Sequence, residues 1–209
     1  MIITYDGVEA VKITHGDTTI AINPPSKKSK FSTTSFGSDF VLITTKHPDL
    51  NGSETATRKD QEPLVIDGPG EYETKDYFVR GFGSLSNYGG EERINTIYSF
   101  RVDNIDIAFL GALSDKKLSV KVKEEIAEAD ILFVPIGGDG VLSASEAYEL
   151  ATKRGPKIII PIHYGNVGEK DALKKFLKIA NQEKVKKLDK LTIKKKEVDL
   201  KSGEIIVLK

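Results

Sequence analysis

The predicted secondary structure changes near residue 110, and this change limits the folds that the chain can adopt. Short β-type runs follow one another before that point, and amphipathic helices alternate with buried strands after it. Glycine-rich residues 67–71 and 81–90 are predicted to be a turn and a loop. Two β-rich halves that each end in helices predict an α+β fold, a four-layer αββα sandwich, with residues 1–209 forming one domain. Strands are predicted at 2–5, 10–14, 18–22, 40–43, 64–66, 77–80, 96–102, 105–110, 131–134, 157–160, 191–193 and 204–208, and helices at 119–129, 143–153 and 169–181.

The composition excludes several kinds of chemistry. The 209 residues include no cysteine, which excludes disulfides, thiolate catalysis, zinc ribbons and iron–sulfur clusters. The 31 basic and 31 acidic side chains balance, which argues against a broadly basic nucleic-acid-binding scaffold. No apolar run approaches the roughly 20 residues of a membrane span, and the amino-terminal sequence shows no export signal. We therefore expect a cytoplasmic protein that does not engage membranes.

Lysines are concentrated towards the carboxy terminus. Between residues 169 and 201 there are 12 lysines and 6 acidic residues. A basic face of this kind suits binding of RNA, an acidic partner or anionic lipid. A helical face exposed to water explains the excess of lysine more simply. Arginine is absent from this segment and Phe176 is its one aromatic residue, so little is available for base contacts. Nucleic acid is therefore not an expected partner.

Two polar segments that follow predicted buried strands contain two of the three histidines. Residues 44–50 read TTKHPDL and residues 161–165 read PIHYG, so both are expected at one edge of a sheet. The two imidazoles and one carboxylate of His47, Asp49 and His163 are able to chelate a divalent metal and to leave a position open for water. Loop histidines that are hydrogen-bonded near strand ends explain the same spacing, and that alternative stays open.

Eight ordered blocks of the sequence resemble the metallo-β-lactamase superfamily, and in particular its branch of small zinc-dependent hydrolases related to ascorbate-phosphate lactonase. The resemblance spans residues 1–209 and implies the αββα sandwich. It also implies a two-zinc centre that activates water for hydrolysis. The blocks are IITYDG at 2–7, TIAINP at 19–24, VLIT at 41–44, IDGPGEYE at 66–73, NTIY at 95–98, FLG at 109–111, ADILFVPIGG at 129–138 and IPIHY at 160–164.

Most of the metal ligands that this resemblance implies are replaced. The family motif T-H-x-H-x-D-H falls on residues 44–50, so its first and last histidines are Thr45 and Leu50 here. The next family histidine falls near Ser86, and the bridging aspartate falls on Ala112. Three ligands of seven remain, namely His47, Asp49 and His163.

The remaining ligands are divided between the two metal positions that the resemblance implies. One position keeps only His47, and the other keeps Asp49 and His163. One or two side chains do not hold zinc in a closed tetrahedron. Two neighbouring family patterns change as well, because G-H-S reads GVE at residues 7–9 and I-D-P reads INP at residues 22–24.

These replacements predict a non-hydrolytic protein that binds a small molecule or a protein in the old cleft, with no metal cofactor and no assigned catalytic residue. The cleft is predicted to be lined by His47, Asp49, His163, Lys46 and Asp139. Lys46 either occupies former metal space as a cation paired with Asp49 or extends into solvent, as lysines usually do.

Two other functions stay open at this point. The first is a hydrolase of a small phosphorylated or lactone substrate, with one Zn or Mn ion rebuilt on His47, Asp49 and His163. The second is a structural partner that forms a homo-oligomer or pairs with an intact paralogue.

Overall fold

A computed structural model describes residues 1–31, 34–58, 62–74, 77–153 and 155–209 of the chain. Two β-sheets pack together around a shared apolar core to which both contribute. Their strands, in chain order, are β1 (Ile2–Tyr5), β2 (Val11–His15), β3 (Thr18–Ile22), β4 (Phe40–Leu42), β5 (Leu64–Ile66), β6 (Gly70–Thr74), β7 (Tyr77–Ser86), β8 (Arg93–Val102), β9 (Ile105–Phe109), β10 (Ile131–Pro135), β11 (Ile158–Ile162), β12 (Lys187–Leu188), β13 (Leu191–Thr192), β14 (Glu204–Ile205) and β15 (Val207–Leu208).

The strand order brings the loops after buried strands towards one region. The first sheet has the order β13-β1-β2-β3-β4-β5, with an antiparallel meander over β1 to β3 and parallel pairing from β3 to β5. The second has the order β14-β11-β10-β9-β8-β7-β6, antiparallel from β6 to β9 and parallel from there to β14. Strands β12 and β15 form a small separate sheet.

Two of the described helices begin at serine caps. The helices are α1 (Val120–Glu128), α2 (Ala144–Thr152), α3 (Ala172–Ile179) and the short α4 (Lys195–Val198). Ser119 caps α1, and Ser143 forms a capping box with Glu146 at the start of α2. Helices and sheets together confirm the predicted α+β sandwich. Within the described ranges, no helix is long and apolar enough to cross a membrane.

Parts of the two glycine-rich segments, residues 70–71 and 81–86, are strand where the sequence predicts a turn and a loop. Residues 81–86 belong to β7, and β6 begins at Gly70. The reason is close packing, because a Cβ at Gly81 would lie 2.9 Å from the Gly68 carbonyl oxygen and 2.9 Å from the Thr96 methyl carbon. Glycine therefore marks the approach of neighbouring chain here and does not interrupt the strand.

Tyr98 links the two sheets through its hydroxyl group. It is fully buried, and it donates to the carbonyl oxygens of Ile43 at 2.8 Å and Ile66 at 3.0 Å. We predict that Tyr98→Phe lowers the free energy of unfolding by about 1–3 kcal/mol, because the buried Ile43 carbonyl loses the hydroxyl donor, whereas the Ile66 carbonyl keeps the Ile43 backbone N–H. Urea denaturation measures this change.

Tyr72→Phe is the matched control for that experiment. The Tyr72 hydroxyl also donates to a carbonyl oxygen, that of Gly68 at 2.9 Å, but it is only partly buried. Its loss is expected to cost less than the loss at Tyr98. Equal costs for the two variants would contradict the assignment of Tyr98 as a link between the sheets.

Candidate functional site

Five connecting segments meet at one edge of the sandwich. His163 directly follows β11, and the backbone N–H of His163 donates to the Val8 carbonyl in the β1–β2 turn at 2.6 Å. Asp49 lies in the loop after β4, Tyr88 lies in a short 3₁₀ turn after β7, and Ala112 follows β9. Residues that are far apart in the sequence therefore form one cluster.

His163 is held by a buried carboxylate. Its side chain and that of Glu9 are both fully buried, with His163 Nδ1 2.8 Å from Glu9 Oε1. The other oxygen of Glu9 accepts from Asn23 Nδ2 at 2.8 Å, and Asn23 also bonds to Thr44 through its side chain. With Nδ1–H donating to the carboxylate, His163 Nε2 is the free end of the ring. No hydrogen-bond partner for Nε2 is found among the described residues.

Asp49 is committed to two hydroxyl donors. Ser29 Oγ lies 2.5 Å from Asp49 Oδ1, and the Tyr88 hydroxyl lies 2.7 Å from Asp49 Oδ2. Burial raises the pKa of the Tyr88 phenol, and the hydrogen bond to Asp49 raises it further, so the phenol keeps its proton. Tyr88 is therefore the donor, and both oxygens of Asp49 accept hydrogen bonds within the protein.

The Tyr88 ring lies against both histidines. Its centroid is 4.7 Å from that of His47 and 4.7 Å from that of His163, in edge-to-face arrangements. One tyrosine side chain thus contacts His47, Asp49 and His163, the three residues that the sequence proposes as metal ligands.

Apolar side chains pack around Tyr88. Leu50 and Ala112, at the positions where the resemblance implies a histidine and a bridging aspartate, have no exposed surface. A small apolar cluster includes both of them and is separate from the main core. The cluster consists of Val8, Leu50, Tyr88, Ala112, Val141 and Val167, with Phe31 packed against it.

The other two replaced positions make local hydrogen bonds. Thr45 Oγ1 donates to Asn95 Oδ1 at 3.1 Å, and the Asn95 amide donates to the Leu110 carbonyl at 2.9 Å. Ser86 Oγ accepts from the Tyr88 backbone N–H at 3.2 Å. Both side chains are buried and help to fix the loops around the cluster.

Lys46 and Asp139 lie at the rim. Lys46 Nζ lies 3.3 Å from the Asp67 carboxylate, and its side chain is 75% exposed. Of the two alternatives for Lys46, the structure therefore has the side chain that extends into solvent, and Lys46 does not pair with Asp49, whose carboxylate already accepts from Ser29 and Tyr88. Asp139 is exposed and adopts a left-handed conformation with φ of 49°.

The residues present do not fit the metal centre that the superfamily implies. Among the described residues, no group of three or more histidine, cysteine, aspartate or glutamate side chains is arranged to hold an ion. His47 Nδ1 accepts from the Asp49 backbone N–H at 3.2 Å, and the oxygens of Asp49 are engaged by hydroxyl groups. Of the three candidates, only His163 presents a buried ring nitrogen without a partner.

Sequence reasoning does not identify Glu9, Asn23 or Tyr88 as site residues. Glu9 and Asn23 stand within the two altered family patterns at residues 7–9 and 22–24, which is a usable signal. Tyr88 lies in the segment that the sequence predicts as a glycine-rich loop. No local pattern therefore distinguishes it.

Comparison with known proteins agrees with this fold. Residues 2–163 match the family described as "Beta-lactamase superfamily domain", and the chain belongs to that family. A UPF0173 metal-dependent hydrolase from Natranaerobius thermophilus is 24% identical over 185 residues, which cover 78% of this chain and 83% of the relative.

Solved structures extend the similarity along the whole chain. A proposed Zn-dependent hydrolase of the metallo-beta-lactamase superfamily from Thermotoga maritima is 25% identical, with a TM-score of 0.76, and the match covers 99% of this chain and 97% of that one. A metallo-beta-lactamase fold protein from Bacillus subtilis shares the fold at 11% identity, with a TM-score of 0.63, over 99% of this chain and 95% of that one.

The buried Glu9–His163 pair is expected to contribute strongly to stability. Glu9→Ala leaves His163 and Asn23 without their shared acceptor, which predicts a loss of about 3–5 kcal/mol in the free energy of unfolding. Chemical denaturation measures the loss. The exposed Glu128→Ala on α1 is the control, with an expected change within about 0.5 kcal/mol. Similar changes in both variants would refute the pairing.

His47 is expected to titrate below its ordinary range. Burial lowers the pKa of His47, Arg93 and Lys30 lower it further, and Asp49 opposes them. An NMR titration of the imidazole should therefore give a midpoint below the ordinary value of about 6.5. The folded state then binds fewer protons than the unfolded state in this range. The contribution of His47 to stability is present above about pH 6.5 and falls as the pH drops through the folded pKa.

Removal of a neighbouring cation tests the cause of that shift. Arg93→Met should raise the His47 midpoint, because one source of positive charge is lost. Lys121→Met on the distant helix α1 should leave it unchanged. A midpoint above 6.5 in the unmodified protein, or no response to Arg93→Met, would contradict the described environment.

Proposed function

We propose that this protein is a non-hydrolytic member of the superfamily, in which a tyrosine-centred cluster has replaced the metal centre. The observation that carries the proposal is the position of Tyr88. Its hydroxyl donates to Asp49, and its ring lies against both His47 and His163. The side chains that remain from the family ligand set are therefore engaged with tyrosine.

The proposal follows from the requirements of metal-activated water. A catalytic zinc site needs three protein ligands and one open position, and the bound metal lowers the pKa of its water towards 7. Leucine and alanine offer no donor atoms at positions 50 and 112, and both are packed among apolar side chains. Within the described cluster, no residue takes over the activation of water.

Binding is the function that this scaffold retains in our proposal. The parts of the old cleft that reach solvent are Lys46, Asp139 and the partly exposed edge of His47. These groups form a polar rim over the filled centre, which suits recognition of a small molecule or of another protein. Pairing with a second copy or with an intact paralogue would use the same rim.

A single-metal hydrolase is the alternative, and one specific observation favours it. His163 Nε2 is buried without a partner, which is the situation of a nitrogen that awaits a ligand. A metal there would require the Tyr88 ring to leave and Asp49 to give up its hydroxyl donors. Relatives are described as metal-dependent hydrolases, which also supports this reading.

Zinc titration separates the two functions. Isothermal titration of the untagged protein should show no tight saturable zinc site, and His47→Ala should not change the result. His15→Ala is the matched control for weak binding to exposed histidine, since the His15 side chain is 42% exposed. Near-stoichiometric zinc that is lost in His47→Ala but kept in His15→Ala would overturn the proposal, as would zinc-dependent turnover of esters, lactones or phosphodiesters.

A further inference from the structure

A separate cavity lies beside the small apolar cluster that contains Tyr88. It has a volume of about 560 Å³, and it is lined by residues 5–8, 30–31, 164–166 and 209. We call it the side pocket. Val8 belongs to the apolar cluster and Phe31 packs against it, so the cluster and the side pocket share a wall. A cavity of this volume is in the range that small-molecule sites occupy.

Contacts within the protein fix the aromatic part of the side pocket. The Tyr5 hydroxyl donates to the Val8 carbonyl at 2.9 Å, and the Tyr164 hydroxyl donates to the Leu208 carbonyl. The two tyrosine rings stack, with their centroids 5.4 Å apart. Both hydroxyl protons are therefore used within the protein, and this wall is in place before any ligand binds.

Two opposite charges of the lining have no partner in the protein. Asp6 and Lys30 are exposed, and in the described part of the chain neither lies within salt-bridge distance of an opposite charge. The Lys30 ammonium lies 5.1 Å from the centroid of the Phe31 ring. Lys209, the third charged residue of the lining, is paired with Asp189 at 3.1 Å. The lining therefore offers one carboxylate and one ammonium to a ligand.

Backbone N–H groups add hydrogen-bond donors to the same lining. Those of Gly7, Gly165 and Asn166 have no acceptor among the described residues. The two glycines have φ values of 88° and 91°, which glycine adopts without strain. Backbone N–H donors beside a lysine are suited to bind a carboxylate group.

A zwitterion matches this lining better than an ion of one sign. A phosphate or another anion would pair with Lys30, but it would share the pocket with the Asp6 carboxylate, which repels it. A simple amine would leave Lys30 and the N–H groups without a partner. A free α-amino acid carries an ammonium and a carboxylate on the same carbon atom, and its side chain would pack against Val8 and Phe31.

We propose that the side pocket binds a free α-amino acid with an apolar side chain. The ammonium of the ligand faces Asp6, and its carboxylate binds Lys30 and the N–H groups of Gly7 and Gly165. This site goes beyond the function proposed for the old cleft, and it does not depend on the fate of the metal centre. Zinc titration tests the old cleft, whereas amino-acid binding tests the side pocket, so the two proposals fail separately.

The test is isothermal titration of the full chain with L-phenylalanine and with L-leucine. Saturable binding of at least one of them is expected. Asp6→Asn and Lys30→Met should each weaken that binding about 10-fold or more, because each removes a hydrogen bond between opposite charges. Lys28→Met and Asp17→Asn are the matched controls at exposed residues outside the lining, and they should leave binding unchanged.

Ligand analogues test whether both charges are read. Phenylethylamine lacks the carboxylate, and phenylpropionate lacks the ammonium. Each should bind at least about 10-fold more weakly than L-phenylalanine. Asp6→Asn should not weaken the remaining binding of phenylpropionate, because that ligand has no ammonium to lose.

Three results would overturn the proposal. The first is absence of saturable binding for both amino acids, and the second is an equal loss in Lys30→Met and Lys28→Met or in Asp6→Asn and Asp17→Asn. The third is binding of phenylpropionate as tight as that of L-phenylalanine, which would indicate a site for anions alone. All four variants alter exposed residues, and circular dichroism checks that they fold.

Discussion

The arrangement of the site depends on the hydrogen bond that the Tyr88 hydroxyl donates to Asp49. Burial keeps the phenol protonated by raising its pKa, so Tyr88 donates and Asp49 accepts. With Ser29 on the other oxygen, the carboxylate is hydrogen-bonded within the protein. The ring is thereby fixed against two imidazoles, and apolar side chains close around it. The centre is consequently held by hydrogen bonds and packing.

The backbone around this centre is strained, and the buried polar network opposes that strain. Val8, Asn23 and His163 have φ values of 52°, 46° and 59°, in the left-handed region that favours glycine. Such conformations cost about 1–3 kcal/mol each and persist only where the surroundings fix them. Here Glu9 bonds the side chains of His163 and Asn23, and the Val8 carbonyl accepts the N–H of His163. The strained loops and the Glu9 network are parts of one arrangement.

Much of the fold could be predicted from local sequence, because its signals are local. The helices predicted at residues 119–129 and 143–153 and the buried strands appear close to their predicted positions. Strand β6 and the second part of β7, residues 81–86, could not be predicted, because Gly81 responds to the close approach of Gly68 and Thr96 from other parts of the chain.

The site was predictable only in part. The positions of His47, Asp49 and His163 follow from the resemblance, and their convergence near Tyr88 agrees with the predicted sheet edge. The engagement of all three by one tyrosine arises from tertiary packing, and the pairing of Lys46 with Asp67 is likewise a contact between distant segments. Such contacts have no local signature, so the resemblance implies which ligands are missing without showing which side chains surround those positions.

Anomalous diffraction at the zinc edge from a zinc-soaked crystal tests the central claim most directly. The account predicts no anomalous peak near His163, with the Tyr88 ring still against both imidazoles and its hydroxyl on Asp49. A peak about 2.0–2.1 Å from His163 Nε2, with the Tyr88 ring displaced, would contradict it.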